Sequence, residues 1–170
     1  MITPHGGGIE PGTSELATAI AGQEFSLYCF EGRKRTGNEV LHITCTRFDE
    51  PTCLTTVAAS PVVLVLHGFD EQREIVHIGG LGTQLAGRLN DALAAAGFAA
   101  QMDNTTNHPG RHTNNICNRG SSGRGCQLEL SKGLRLTLFE GLSRRQRERP
   151  TKRFHEFVAS IRAVLLAYHD

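Results

Sequence analysis

No stretch of this sequence approaches the roughly 18 consecutive apolar residues that a membrane-spanning helix requires. The longest apolar run, Pro61 to His67, has the length of a buried strand. The chain opens Met1-Ile-Thr-Pro-His5, without the basic segment and apolar stretch of a secretory signal. An excess of one charge is also missing: 18 Lys and Arg stand against 17 Asp and Glu, a formal net charge of +1. That balance argues against a protein that coats nucleic acid through bulk charge, while leaving room for a local basic patch. The five cysteines form no CxxC pair, and an odd number leaves one outside any disulfide set. Small buried thiols in a reducing compartment are the expectation. The chain is therefore expected in the cytoplasm, or outside after release by lysis.

What is present is globular composition, 39% hydrophobic and 21% charged over 170 residues. A chain of this length buries roughly 70% of the surface it exposes when unfolded, so it needs neither disulfides nor a partner to hold a core. One domain over residues 1–170 and a monomer are expected. No internal repeat or low-complexity tract breaks the pattern.

Strand and helix signals alternate along the chain. Met1 to Ile9 reads as a short strand running into a glycine-rich loop. Thr13 or Ser14 caps a helix through Leu16, Ala19 and Ile20 that stops at Gly22. Phe25 to Phe30 is rich in strand formers, and Glu31 to Asn38 is a turn. Val40 to Phe48 alternates apolar and polar residues as a strand does. Val62 to His67 suits a strand buried on both faces, and Ile75 to Ile78 is another. Leu81, Leu85, Leu89 and Leu93 recur at helical spacing before Gly97. Phe98 to Met102 returns to strand. Asp103 to Gly125 is a long polar loop, a length that is uncommon and often functional. Gln127 to Leu130 is a strand, Leu134 to Phe139 is again apolar, and Pro150 starts a last helix with Phe154, Phe157, Ile161 and Leu165 on one face. This order predicts an α/β sheet covered by helices on both sides, with working residues in loops at strand ends.

Four clusters carry chemistry. In His5-Gly-Gly-Gly-Ile-Glu10-Pro-Gly12 a His and a Glu bracket three glycines. Both residue types bind zinc, and a flexible loop lets them converge; an anion-binding loop or a plain turn fits the same residues. His67 ends the buried strand beside Gly68, aimed at a sheet-edge cleft. With His5 and Glu10 it makes a His/Glu/His set of the kind that leaves a fourth zinc position open for water. His42 and His77 compete for that place. Asn118-Arg119 in the long loop offers a bidentate grip for a carboxylate, or is simply solvated. Glu129, between Leu128 and Leu130, is either edge-exposed or faces a zinc-bound water as general base.

Taken in order, His5-Gly-Gly-Gly-Ile-Glu-Pro-Gly-Thr-Ser14, Leu41-His-Ile-Thr44, Phe48-Asp-Glu-Pro51, Ile116-Cys-Asn-Arg-Gly120 and Gln127-Leu-Glu-Leu-Ser131 resemble the phage-related poly-γ-glutamate hydrolases. Bacterial members of that family are often labelled phage-related replication proteins. The likeness spans nearly the whole chain. It implies a single-domain fold similar to the zinc carboxypeptidases, a mixed sheet between helices with one catalytic zinc. His5 and Glu10 here lie farther apart in sequence than in carboxypeptidases, so the likeness to that wider group is one of structure. By position, the resemblance implies His5, Glu10 and His67 as zinc ligands and Glu129 as general base. It implies Asn118 and Arg119 as the carboxylate-binding pair, with Arg119 also near the oxyanion and Arg135 or Arg111 holding a further substrate carboxylate. The basic stretch Arg144 to Arg149, with Lys152 and Arg153, reads as a solvated helix start or as a site for a polyanion, the glutamate polymer or nucleic acid; without interleaved aromatics, nucleic acid is the weaker of the two. The expected partner is a polyanionic peptide, with neither a membrane nor nucleic acid. The alternatives are a zinc amidase on another acidic or cell-wall peptide and a non-catalytic, prophage-derived polyanion binder.

Overall fold

The computed structural model describes residues 1–103 and 109–168. The elements run β1 (Ile2–Gly7), α1 (Thr13–Ala21), β2 (Tyr28–Gly32), α2 (Pro51–Ala58), β3 (Leu64–Phe69), β4 (Val76–Gly80), α3 (Thr83–Ala95), β5 (Ala100–Met102), β6 (Cys126–Ser131), α4 (Lys132–Leu138) and α5 (Lys152–Leu166), with short 3-10 turns at Asn38–Leu41 and Ile116–Arg119. Six strands form one sheet in the order β2-β1-β3-β6-β4-β5. Every pairing is parallel except β4 with β6. The sheet is therefore mixed and the fold α/β.

Strand alternation divides the apolar residues between two cores. Leu64 and Leu66 of β3 and Leu128 and Leu130 of β6 face Leu16, Ile20, Leu89, Phe157 and Ile161, so α1, α3, α4 and α5 cover that side. Val63 and Val65 face the other side, against Cys53 and Val57 of α2 and against Phe48 and Ile116. Helices cover both faces as the sequence predicts. All five cysteines are free. No described helix is long and apolar enough to cross a membrane.

Several local expectations shift. The segment Val40–Phe48 is not a strand: a 3-10 turn over Asn38–Leu41 leads into an irregular loop. Its apolar residues do not share a buried face, since Val40 and Ile43 are exposed. Its polar backbone atoms serve neighbours instead, with Arg47 N–H donating to the Thr44 carbonyl at 2.7 Å and Ile116 N–H to the Cys45 carbonyl at 3.1 Å. Helix α2 has a start signal in Glu50-Pro51: Pro51 occupies the first turn, and the Glu50 carboxylate accepts from the N–H groups of Thr52 and Cys53. Strand β2 begins at Tyr28, and the cap of α1 is Gly12 rather than Thr13 or Ser14. The last helix is capped by the Thr151 hydroxyl, just beyond Pro150. Within the long loop, residues 104–108 lie outside the described residues.

One irregularity positions a functional side chain. Between Thr3 and Gly6, β1 advances three residues while β2 advances two, from Cys29 to Glu31. The extra residue is a bulge. Thr3 faces α1, where its hydroxyl donates to Thr13 Oγ1 at 3.0 Å. Plain alternation would send His5 the same way. The bulge turns it onto the opposite face, beside His67.

Candidate metal centre

The site lies where β1, β3 and β6 run toward their C-terminal ends, on the face opposite α1. After His5 the chain turns at Gly7, whose φ of 65° favours glycine. Glu10 N–H then donates back to the His5 carbonyl at 2.8 Å. This closed loop brings Glu10 over the strand end it has just left. Its Oε1 stands 2.9 Å from His5 Nδ1. Its Oε2 accepts from Gly68 N–H at 2.8 Å and lies 3.4 Å from His67 Nδ1. The two Nδ1 atoms are 3.1 Å apart. One donor atom from each of these three buried residues lies within 4.8 Å of the other two. Two imidazoles and a carboxylate converging in this way match the donor set and count of a catalytic zinc site.

His42 completes the wall. Its ring stacks on His5 at 3.8 Å between centroids, and its Nε2 is 3.3 Å from Glu10 Oε1. His77 is in register with Glu129 across β4 and β6, two strands from His67, with its ring against Phe69 and outside the donor cluster. Glu129 is paired in register with His67 across β3 and β6, and so shares its face. Asn115 Nδ2 donates to Gln127 Oε1 at 3.2 Å, and Gln127 Nε2 donates to Glu129 Oε1 at 3.1 Å. That relay orients a carboxylate that is only 8% exposed. All these groups except His77 line one cleft of about 590 Å3, together with Thr44, Cys45, Thr46, Arg111 and His112.

The electrostatics of the cluster favour positive charge. Burial by itself raises the Glu10 pKa, but hydrogen bonds from His42, His5 and His67 hold it well below the usual carboxylate value. Burial disfavours charge on His67, yet the Cys45 sulfur and the Glu129 and Glu10 carboxylates outweigh it and raise the pKa well above the ordinary imidazole value. In the metal-free chain the two groups act on stability in opposite pH ranges. The Glu10 contribution is full above the usual carboxylate range and is lost as pH falls through its depressed value. The His67 contribution is full below the usual imidazole range and is lost as pH rises through its raised value. A metal must displace the His67 proton. Zinc uptake near neutral pH is therefore expected to release about one proton per chain and to weaken as pH falls. Calorimetry in buffers of different ionisation enthalpy measures this; uptake without proton release would contradict it.

A model of the poly-gamma-glutamate hydrolase family matches residues 1–160. The chain belongs to that family. UPF0714 protein YndL of Bacillus subtilis strain 168 is 43% identical over 159 residues, which cover 92% of this chain and 63% of YndL. The chain thus spans a little less than two thirds of that relative. A solved structure described as bacteriophage poly-gamma-glutamate hydrolase superposes with a TM-score of 0.95 at 33% identity, covering 98% of this chain and 82% of its own. A zinc-free apo structure of YndL superposes with a TM-score of 0.94 at 40% identity, covering 99% and 84%.

Within this family member, Asn118, Arg119 and Arg135, read from the sequence as carboxylate binders, do not line the cleft. The Asn118 amide donates to the carbonyls of Gly110 and His112 and accepts from Leu81 N–H and Gly125 N–H, so it ties loops together. Arg119 is exposed and donates to the Phe48 carbonyl at 3.2 Å. The Asn118 amide is committed to backbone groups and makes no fork with Arg119 in this structure. Arg135 is buried behind the site and donates to the carbonyls of Leu130, Pro11 and Phe69. It braces the strand ends, and Gly68 has no side chain because a Cβ there would meet its guanidinium. Arg135→Lys keeps the charge and loses the planar fork. It is expected to lower stability by about 2–4 kcal/mol in chemical denaturation while leaving KM for an anionic polymer unchanged. A raised KM with unchanged stability would return Arg135 to the substrate. Of the arginines considered, Arg111 is the one on the cleft wall.

Proposed function

We propose that the cleft is a zinc-dependent hydrolase centre cutting γ-glutamyl amide bonds, with poly-γ-glutamate as its substrate. The observation that carries this reading is the convergence of His5, Glu10 and His67 on one point, with Glu129 in register beside His67 on the same face. Membership of the family and the likeness to a phage poly-gamma-glutamate hydrolase support the substrate class. The zinc-free form of YndL supports the choice of metal.

Bound by His5, Glu10 and His67, zinc supplies a water of lowered pKa and a Lewis acid for the scissile carbonyl. The rest falls to the chain. Glu129, held by Gln127, accepts a proton from the attacking water and passes it to the leaving amine. The half-buried His42 ring flanks Glu10 at the cleft mouth and limits the approach of bulk water. Each residue of a γ-linked glutamate chain carries a free α-carboxylate, and Arg111 places a positive charge on the wall where one would lie. The test incubates zinc-loaded and chelator-stripped protein with poly-γ-glutamate and measures new amino termini and chain length. Shortening only with zinc is expected, with α-linked polyglutamate left intact. Unchanged poly-γ-glutamate under the zinc-loaded protein would overturn the reading.

A further inference from the structure

We infer that Cys45 is a positioning residue for the metal centre: within the segment Ile43–Cys45, which braces both histidines from outside, its sulfur fixes His67 with Nδ1 turned to the metal. This rests on the zinc reading above. Both rings turn Nδ1 inward, and both turn Nε2 onto this one segment. His5 Nε2 lies 2.8 Å from the Ile43 carbonyl, and His67 Nε2 lies 3.1 Å from Cys45 Sγ. A carbonyl only accepts, so with metal bound His5 keeps its proton on Nε2 and offers the Nδ1 lone pair inward. A sulfur also accepts, and does the same for His67. The opposite arrangement, thiol donating to Nε2, leaves a neutral His67 with its proton on Nδ1, where a metal has to bind.

The brace is itself held. The Cys45 carbonyl accepts from Ile116 N–H, and Arg47 N–H closes a turn onto the Thr44 carbonyl. Cys45 is 8% exposed and packs in the second core with Phe48, Cys53 and Cys117. Sγ is therefore fixed before metal arrives, and it fixes the His67 ring plane in turn. Cys45 touches neither the attacking water nor the substrate carbonyl in this role; it acts through His67.

The test compares zinc dissociation constants of wild type, Cys45→Ala and Cys45→Ser by competition with a chromophoric chelator, with thermal unfolding of each metal-free protein as the control for folding. Cys45→Ala is expected to weaken zinc binding roughly 10- to 100-fold, and Cys45→Ser, which restores an acceptor, to recover most of that loss. A folded Cys45→Ala that binds zinc as tightly as wild type overturns the inference and leaves the hydrolase reading standing. A wild type that takes up no zinc removes both. Should Cys45→Ala fail to fold, nitrogen NMR of the zinc-loaded wild type decides. A His67 ring with a proton on Nε2 and metal on Nδ1 is expected, and metal on Nε2 would refute it.

Discussion

Glu129→Gln is expected to lower kcat on poly-γ-glutamate by roughly 10²- to 10⁴-fold, with zinc content unchanged and KM little altered. In free energy that is about 3–5 kcal/mol of transition-state stabilisation. The variant isolates proton transfer because glutamine keeps the shape of the side chain, and its amide oxygen still accepts from Gln127 Nε2. Glu129 is not among the three clustered donor residues, so removing its charge leaves the metal ligands in place. Steady-state kinetics beside elemental analysis measures both quantities. Full activity with full zinc would remove Glu129 from the chemistry. Loss of zinc along with activity would make it part of the metal site.

His67→Ala is expected to abolish zinc uptake and reduce hydrolysis to background. The loss exceeds the roughly 10- to 100-fold that follows removal of an outer hydrogen-bond partner, because a donor atom itself is gone. His67 is 4% exposed, so no neighbouring solvent-facing group swings easily into its place. In the metal-free chain Glu10 also loses one of the three histidines that depress its pKa. Its ionised form then becomes less favourable, and the variant loses stability at a higher pH than wild type as the solution is acidified. Zinc content by elemental analysis, followed by acid denaturation of the metal-free proteins, reads the two effects separately.

The site was legible in the sequence to the extent that chemistry and chain position coincide. His5 and Glu10 share a glycine loop, and His67 closes an unbroken apolar run in a strand that continues to Phe69, so residue type and local pattern together point to a strand-end cleft. Glu129 was readable because a lone acid between two leucines on a buried strand must either be exposed or have work to do. What the pattern did not reveal depends on contacts distant in sequence. The alternation in Val40–Phe48 mimics a strand, yet this segment gives its carbonyls and the Cys45 sulfur to the two histidines and to Ile116. The bulge in β1 that turns His5 inward leaves no mark in the order of residues. Asn118-Arg119 has the composition of a carboxylate fork, but the loop fold directs the amide to four backbone groups. Helix α2 went unread although Glu50-Pro51 supplied its start, because only Cys53 and Val57 of its residues are buried and the apolar stripe is short.

The most direct test is anomalous scattering at the zinc edge from crystals of the zinc-loaded protein. One peak is expected, about 2.0–2.2 Å from His5 Nδ1, His67 Nδ1 and a Glu10 carboxylate oxygen, with Glu129 facing the open side. A zinc peak held by other residues, or no peak at this cluster from protein soaked in zinc, would contradict the assignment of the cleft as a metal centre.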